Sequence, residues 1–289
     1  MWDTVWHILS HALIDSAWLL PFLFLTYLCM ELLEHKAGDK VKGAIVRAGR
    51  AGPIFGGILG LIPQCGFSAA SAGLFAGGVI TPGTLLAVFL ATSDEMLPIF
   101  LGASISPLKI VTVLGIKLVI AVLVGFAADI ILKSHRRTLE VEELCDEENC
   151  HCGERGIWLS SLIHTAQIFA FVFIINLALT AAFELVGEDK IAAVLGNIPV
   201  LDVIAASIVG LIPNCAASVL IATLWTKGMI SGGAMIAGLL TGAGAGLLVL
   251  FRTNKRVKEN LVLLAILLLS GIIFGCIFDL TGLSALLGL

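Results

Sequence analysis

The stretch Gly60-Leu61-Ile62-Pro63-Gln64-Cys65 decides the fold, because it recurs 150 residues later as Gly210-Leu211-Ile212-Pro213-Asn214-Cys215. The register holds without gaps beyond the motif, so that Ser68 matches Ser218. Farther along, the matched pairs are Gly83 with Gly233, Gly125 with Gly275 and Asp129 with Asp279. Chance gives one such match but not a set spread over half of the chain, and the sequence therefore contains an internal duplication.

The composition places both copies in a lipid bilayer. Of the 289 residues, 58% are hydrophobic and 13% are charged, whereas a soluble domain carries about 25% charged residues. Apolar runs of about 20 residues, enough to cross a ~30 Å hydrocarbon core, cover 11–33, 108–132, 157–186 and 259–278. We therefore predict an all-α polytopic membrane protein. The net charge of −4 gives no reason to expect nucleic acid as a partner.

The duplication divides the chain into three parts. We predict a first transmembrane repeat over residues 1–139, a cytoplasmic linker over 140–156, and a second transmembrane repeat over 157–289. Each repeat contains five apolar segments, of which the second and third are short. Pro63 and Pro213 interrupt these short segments, because proline cannot continue a helix without losing a backbone hydrogen bond.

The basic residues predict the topology. Of the 17 lysines and arginines, five follow the first segment, four lie around the linker and four precede the last segment. If all three basic loops are cytoplasmic, each repeat crosses the membrane an odd number of times and both termini lie outside. The repeats are then antiparallel, as in many secondary transporters. The short segments either both span, giving ten crossings, or form a re-entrant hairpin, giving six; their length favours the hairpin.

A pair of acids lies at membrane depth in the fourth segment. Ser93-Asp94-Glu95 begins ten residues past Gly83 in an apolar stretch, about 16 Å along a helix. Ionisable groups at this depth indicate function, and we expect a cation or proton site, which requires the helix to unwind. The alternative is a buried structural pair with Lys117 as its partner. Ala243-Gly244-Ala245 takes this place in the second repeat, where glycine serves unwinding or tight packing.

The two proline motifs carry a second set of candidate ligands. Proline frees backbone carbonyls, the neighbouring amide supplies an oxygen, and cysteine supplies a soft thiolate. If antiparallel repeats bring the interruptions together, one central cavity is lined by Gln64, Cys65, Asn214 and Cys215, with Ser68 and Ser218 one turn below. The alternative is a paired helix break with buried, inert cysteines.

Weaker candidates lie elsewhere in the chain. The linker gathers thiol and imidazole groups that suit zinc or another borderline metal, namely Cys145, Cys150, His151 and Cys152. A solvated acidic linker is an equal alternative. Asp129 and Asp279 match near the ends of helices, where we expect solvated anchors, and we expect a structural role for Asp202.

At these motifs the chain resembles the bacterial ten-transmembrane heavy-metal exporters, a family also labelled arsenic efflux proteins or manganese transporters. The resemblance is carried by residues 60–68, 88–95 and 210–218 and covers nearly the whole chain. It implies a multi-pass protein of the bacterial inner membrane that transports rather than catalyses. It does not imply a particular ion.

We expect a secondary active transporter that exports a divalent transition metal or arsenic in exchange for protons or another ion. Asp94 and Glu95 would bind the ion and alternate with protons, and Cys65 and Cys215 would select soft or borderline ions. The remaining ligands would be Gln64, Ser68, Ser93, Asn214 and Ser218. No cofactor is expected, and the sequence contains no Walker A motif for ATP.

Other functions stay open at this point. Half-helix N-termini at the proline interruptions can hold a small organic solute or an oxyanion. A membrane metal sensor would use the linker as its receptor. An intramembrane enzyme is disfavoured, because neither His-Glu-x-x-His nor Gly-x-Ser-x-Gly occurs. The oligomeric state also stays open, with a homodimer as one option.

Overall fold

The fold is all-helical over the residues that the structure describes. The computed structural model describes Leu13, Ala17, 20–36, 51–93, 96–132, 156–186 and 199–282, and all regular structure within these ranges is helical. The first repeat contains α1 (Leu20–Lys36), α2 (Gly52–Gly60), α3 (Cys65–Ala76), α4 (Pro82–Ala91), α5 (Met96–Gly102) and α6 (Pro107–Ile131). The second repeat contains α7 (Gly156–Val186), α8 (Pro199–Gly210), α9 (Cys215–Thr226), α10 (Gly232–Thr241), α11 (Ala245–Thr253) and α12 (Val257–Leu280).

Several of these helices are long and apolar enough to cross a bilayer. Within the described ranges, the candidate spans are Pro82–Gly102, Pro107–Ile131, Ser161–Ala181, Gly232–Thr253 and Val257–Leu280. Shorter apolar helices occupy Gly66–Ala76, Leu201–Gly210 and Cys215–Thr226. Large apolar side chains such as Leu108 and Leu280 project from the surface, as expected of helices that face lipid. The prediction of an all-α polytopic membrane protein is confirmed.

The fourth segment of each repeat is broken into two helices. In the first repeat α4 ends at Ala91 and α5 begins at Met96. In the second repeat α10 ends at Thr241 and α11 begins at Ala245. The unwinding that a shared site for the two acids requires therefore occurs, and it occurs in both repeats.

The short helix α2 runs parallel to α4. A Cβ on Gly52 would lie 2.0 Å from Thr84 Oγ1 near the start of α4, and a Cβ on Gly60 would lie 2.6 Å from the Val88 carbonyl oxygen near its end. Helices α8 and α10 of the second repeat pack in the same way, since a Cβ on Gly210 would lie 2.2 Å from the Gly238 carbonyl oxygen. The turn that contains Pro63 thus lies level with the break in α4, and the chain returns through α3.

Each repeat closes the start of its broken helix with an aspartate. Asp129 Oδ2 accepts a hydrogen bond from Thr81 Oγ1 at 2.8 Å, and its Oδ1 accepts one from Gly83 N at 2.8 Å. Asp279 makes the same two contacts with Ser231 Oγ and Gly233 N, both at 2.7 Å. The expectation of solvated anchors was wrong in its solvation, because both carboxylates are half-buried and bind the exposed N–H groups of a helix start.

The two repeats interlock through exchanged contacts. Helix α3 packs against α11 of the second repeat, and α9 packs against α5 of the first. Phe100 and Trp225 meet in the latter interface with ring centroids 4.9 Å apart. Helices α1 and α7 pack against each other, as do α4 and α10. The buried apolar side chains of both repeats consequently form a single core.

We predict that Gly83→Ala destabilises the protein, because the new Cβ would lie 2.0 Å from the Gly125 carbonyl oxygen and 2.5 Å from Asp129 Cγ. Overpacking of this kind costs about 1–3 kcal/mol. The matched control is Gly115→Ala in α6, where nothing lies within 4 Å of the new atom. Thermal unfolding in detergent should show a lower midpoint only for Gly83→Ala, and equal midpoints would contradict the close packing of α4 on α6.

Candidate functional site

The end of α4 is a cluster of hydroxyl groups and freed carbonyls. Thr92 Oγ1 donates to the Val88 carbonyl oxygen and Ser93 Oγ donates to that of Ala91, both at 2.8 Å. Thr92 and Ser93 are almost fully buried. The last carbonyls of a helix have no partner within it, and these two side chains satisfy part of that demand inside the protein.

The end of α10 is built from glycine instead. Gly244, the residue before α11, has φ 54° and ψ −145°, a conformation that side chains other than hydrogen rarely allow. Ala243 N hydrogen-bonds back to the Thr241 carbonyl oxygen at 2.9 Å. The sequence predicted either unwinding or tight packing for these glycines, and the structure shows that the backbone unwinds here.

Lys117 connects the two breaks. This lysine lies in α6 and is completely buried. Its Nζ donates to the Thr92 carbonyl oxygen at the end of α4, and to the Leu239 carbonyl oxygen near the end of α10 at 2.8 Å. Helix C-termini carry partial negative charge, so two helix ends from different repeats surround one ammonium group.

Among the described residues, the charged side chain at this centre is that of Lys117, which belongs to the first repeat. The position of Lys117 is taken in the second repeat by Leu267, which is also fully buried. Ser93-Asp94-Glu95 likewise matches Ala243-Gly244-Ala245. A buried ammonium group is costly unless it is paired or bonded. From the sequence, Lys117 was expected only as a structural partner of the acids. The sequence signal for a functional role of Lys117 is its position inside an otherwise apolar segment.

Two predicted serines lie beside the glycine break. A Cβ on Gly246 would lie 2.8 Å from Ser68 Cβ, which belongs to the other repeat. A Cβ on Gly242 would lie 3.0 Å from Ser218 Oγ. Ser68 is completely buried. The structure thus brings Ser68 and Ser218 together around the unwound backbone between α10 and α11.

The Asn214 side chain is fully hydrogen-bonded to neighbouring parts of the protein. Its Oδ1 accepts a hydrogen bond from Ala216 N at 2.7 Å and so caps the N-terminus of α9. Its Nδ2 donates to Asn176 Oδ1 at 2.9 Å and to Thr180 Oγ1 at 3.1 Å, which ties the turn to α7. The sequence does not predict this pairing of Asn214 with Asn176 and Thr180, since nothing in the sequence relates α7 to this turn.

Gln64, the counterpart of Asn214, precedes α3 but makes no capping hydrogen bond through its side chain. Cys215 is half-buried at the first position of α9. Within the described residues, no three His, Cys, Asp or Glu side chains form a metal-binding group. The remaining predicted ligands lie outside the residues whose side chains are described, namely Cys65, Asp94, Glu95, Cys145, Cys150, His151 and Cys152.

The broken helices and the apolar spans define a polytopic helical membrane protein with a buried polar centre. A family model described as "Putative, 10TM heavy-metal exporter" matches residues 3–189 and 164–287. The two matches together cover nearly the whole chain, and the protein belongs to the family that this model describes. No curated protein and no solved structure matches the chain.

We predict that Asn214→Ala destabilises the protein more than Gln64→Ala does. The first substitution removes a helix cap, worth about 1 kcal/mol, together with two hydrogen bonds to α7. The second removes no capping bond and should change stability by about 0.5 kcal/mol or less. Unfolding midpoints in detergent test the difference, and matching midpoints would show that the two motifs are structurally equivalent.

We also predict that Lys117→Met destabilises the protein relative to Leu267→Met, its counterpart in the second repeat. Methionine fills the volume but leaves the Thr92 and Leu239 carbonyl oxygens without their donor, at about 1–3 kcal/mol for a buried group. The swap at Leu267 conserves volume and should cost less than about 1.5 kcal/mol. A Lys117→Met protein as stable as the Leu267→Met protein would show that the ammonium group does not hold the two helix ends together.

Proposed function

We propose that the protein is a secondary transporter that exports a heavy-metal cation from the cytoplasm in exchange for protons or another ion. The observation that carries this proposal is the Lys117 ammonium group at the ends of two broken helices from different repeats. Discontinuous helices whose C-terminal carbonyls face a cation are a recurrent device of ion-coupled transporters. In this protein the Lys117 ammonium group donates hydrogen bonds to such carbonyl oxygens.

The packing supports an inverted arrangement of the repeats. Helix α3 returns from the level of the α4 break towards the start of α4, and α11 of the other repeat packs along it. In the equivalent contact between the repeats, α5 of the first repeat packs along α9 of the second. The broken helices then run in opposite directions and cross at their breaks. In this arrangement the end of α11, with Arg252 and the basic residues after it, lies on the same side as the start of α4.

The proposed orientation follows from those basic residues. The segments that carry most of the lysines and arginines precede α2, follow α6 and separate α11 from α12. In the inverted arrangement all three lie on one side, which the distribution of positive charge assigns to the cytoplasm. Each repeat then crosses the membrane three times, with α2–α3 and α8–α9 as re-entrant hairpins.

The proposed cation site lies where Thr92 and Ser93 lead into Asp94 and Glu95. Lys117 Nζ binds the Thr92 carbonyl oxygen, two residues before Asp94 in the sequence. Acids at membrane depth are costly to leave without a countercharge, and a nearby ammonium group lowers that cost. We propose that Lys117 is the fixed countercharge of the empty site and that a divalent cation takes over its role when bound.

The chemical selectivity of the site would come from the turns before α3 and α9. Cys215 and its counterpart Cys65 begin these helices, and thiolates favour soft or borderline metals over magnesium and calcium. Ser68 and Ser218 beside the glycine break, together with Gln64 and Asn214, would add oxygen ligands. Manganese, zinc, cobalt and cadmium are the cations to test first.

We predict that the purified protein in proteoliposomes moves at least one of these cations down an imposed gradient. Asp94→Asn with Glu95→Gln should reduce the rate at least tenfold, because it removes the charge that binds the cation. The chain offers a matched control in the linker, where Asp146 and Glu147 form the same dipeptide. Asp146→Asn with Glu147→Gln should leave transport unchanged. Equal rates for both double variants would refute the cation site.

One observation favours a second candidate function. A buried ammonium group between the ends of α4 and α10 would also suit an anion, since positive charge and the N-termini of the helices that follow breaks of this kind bind anions. The same proteoliposomes loaded with an oxyanion or a small organic acid separate the two possibilities. Anion flux that is lost in Lys117→Met and kept in the Asp94→Asn, Glu95→Gln variant would replace the cation proposal.

A further inference from the structure

A buried carboxyl group at the start of α8 has one oxygen without a hydrogen-bond donor. Asp202 is 6% exposed. Its Oδ2 accepts a hydrogen bond from Ser231 N at 3.3 Å, whereas its Oδ1 is buried and has no partner among the described residues. A buried carboxylate that lacks donors is costly, and such groups are commonly neutralised by a proton.

A second carboxyl group lies beside it. Ser231 donates through its Oγ to Asp279 Oδ2 at 2.7 Å and through its N to Asp202 Oδ2, so one residue bridges both acids. Asp279 Oδ1 is occupied by Gly233 N. Among the described residues, Asp279 is the charged group that acts on Asp202, and the other groups facing it are Ser231 and the Val203 backbone. Two neighbouring carboxyl groups resist carrying two charges.

The first repeat shows that the fold does not require this carboxyl group. Gly52 takes the position of Asp202, and Thr84 takes that of Ala234. Thr84 Oγ1 contacts Thr81 Oγ1 at 2.8 Å, and a Cβ on Gly52 would lie 2.0 Å from this hydroxyl group. A neutral hydroxyl group therefore fills the first repeat where an acid fills the second. The acid adds a titratable group to a helix start that has the same aspartate contacts in both repeats.

We propose that Asp202 and Asp279 form a proton-binding pair in which Asp202 Oδ1 carries the proton, and that this is the proton exchanged for the exported cation. The second clause rests on the proposed function, and the first does not. A metal ion fits the pair less well, because both Asp279 oxygens already accept hydrogen bonds. In addition, the described residues supply no third His, Cys, Asp or Glu to complete a metal-binding group.

Infrared difference spectroscopy of the reconstituted protein tests the proton directly. At neutral pH the wild-type spectrum should contain a protonated-carboxyl C=O band that is lost in Asp202→Asn. The matched control is Asp129→Asn, which removes the equivalent of Asp279 from the first repeat, where Gly52 takes the position of Asp202. The band should persist in this control. Identical wild-type and Asp202→Asn spectra in this region would overturn the proposal.

Asp279→Asn tests the pairing. Its amide oxygen can still accept from Ser231, but the neighbouring negative charge is gone, and the Asp202 band should disappear at a pH lower by roughly one unit or more. An unchanged titration would show that Asp279 does not act on Asp202 and would overturn the pair. Loss of the band on adding manganese ions at constant pH to the Asp94→Asn, Glu95→Gln variant, which lacks the proposed cation site, would also overturn it, by identifying a metal site at the pair.

Transport measurements test the exchange. Cation flux through the wild-type protein and through Asp129→Asn should respond to an imposed pH gradient, whereas flux through Asp202→Asn should lose that response while continuing down the cation gradient. A pH response retained in Asp202→Asn would refute the exchange role. If the wild-type protein carries no cation, the proposed function fails, and the infrared result still decides the proton site.

Discussion

Backbone groups freed inside a membrane-spanning helix must find partners within the protein, because the hydrocarbon region supplies none. This demand shapes both breaks. At the end of α4, the Thr92 and Ser93 hydroxyl groups donate hydrogen bonds to carbonyl oxygens of the last helical turn. Lys117 donates to the carbonyl oxygen of Thr92 itself. At the end of α10 the glycines let the backbone turn onto itself, and Lys117 again supplies a donor. The breaks persist because buried donors surround them.

Duplication allows one scaffold to carry two different chemistries. Both repeats keep the aspartate that closes the broken helix and the glycine that lets its neighbour approach. The first repeat places Lys117 at the break, and two acids directly follow Ser93 in its sequence. The second places its additional acid, Asp202, at the start of the helix. Each repeat thus carries polar groups where the other has glycine or an apolar side chain, and the shared core is preserved.

Much of the architecture could be predicted from the sequence, because the repeat, the apolar runs and the prolines are local signals. The contact of α3 with α11 could not, since it joins segments that nothing in the chain relates to each other. For the same reason the capping role of Asn214 was missed, and Asp129 and Asp279 were expected in water although they bind buried helix starts. An amide or acid in a sequence shows its chemistry but not its partner.

Helix α10 is the element that both proposed sites share. Its N-terminal end is bound by Asp279 and lies against Asp202, while the Leu239 carbonyl oxygen near its C-terminal end accepts from Lys117. Eight residues, about 12 Å of helix, separate Ser231 from Leu239. In the proposed exchange, a proton on Asp202 would change the contacts at one end of α10, and a bound cation would replace Lys117 at the other end. Coupling between distant sites requires such a shared two-state element, and α10, packed against α4 of the opposite repeat, is placed to serve as one.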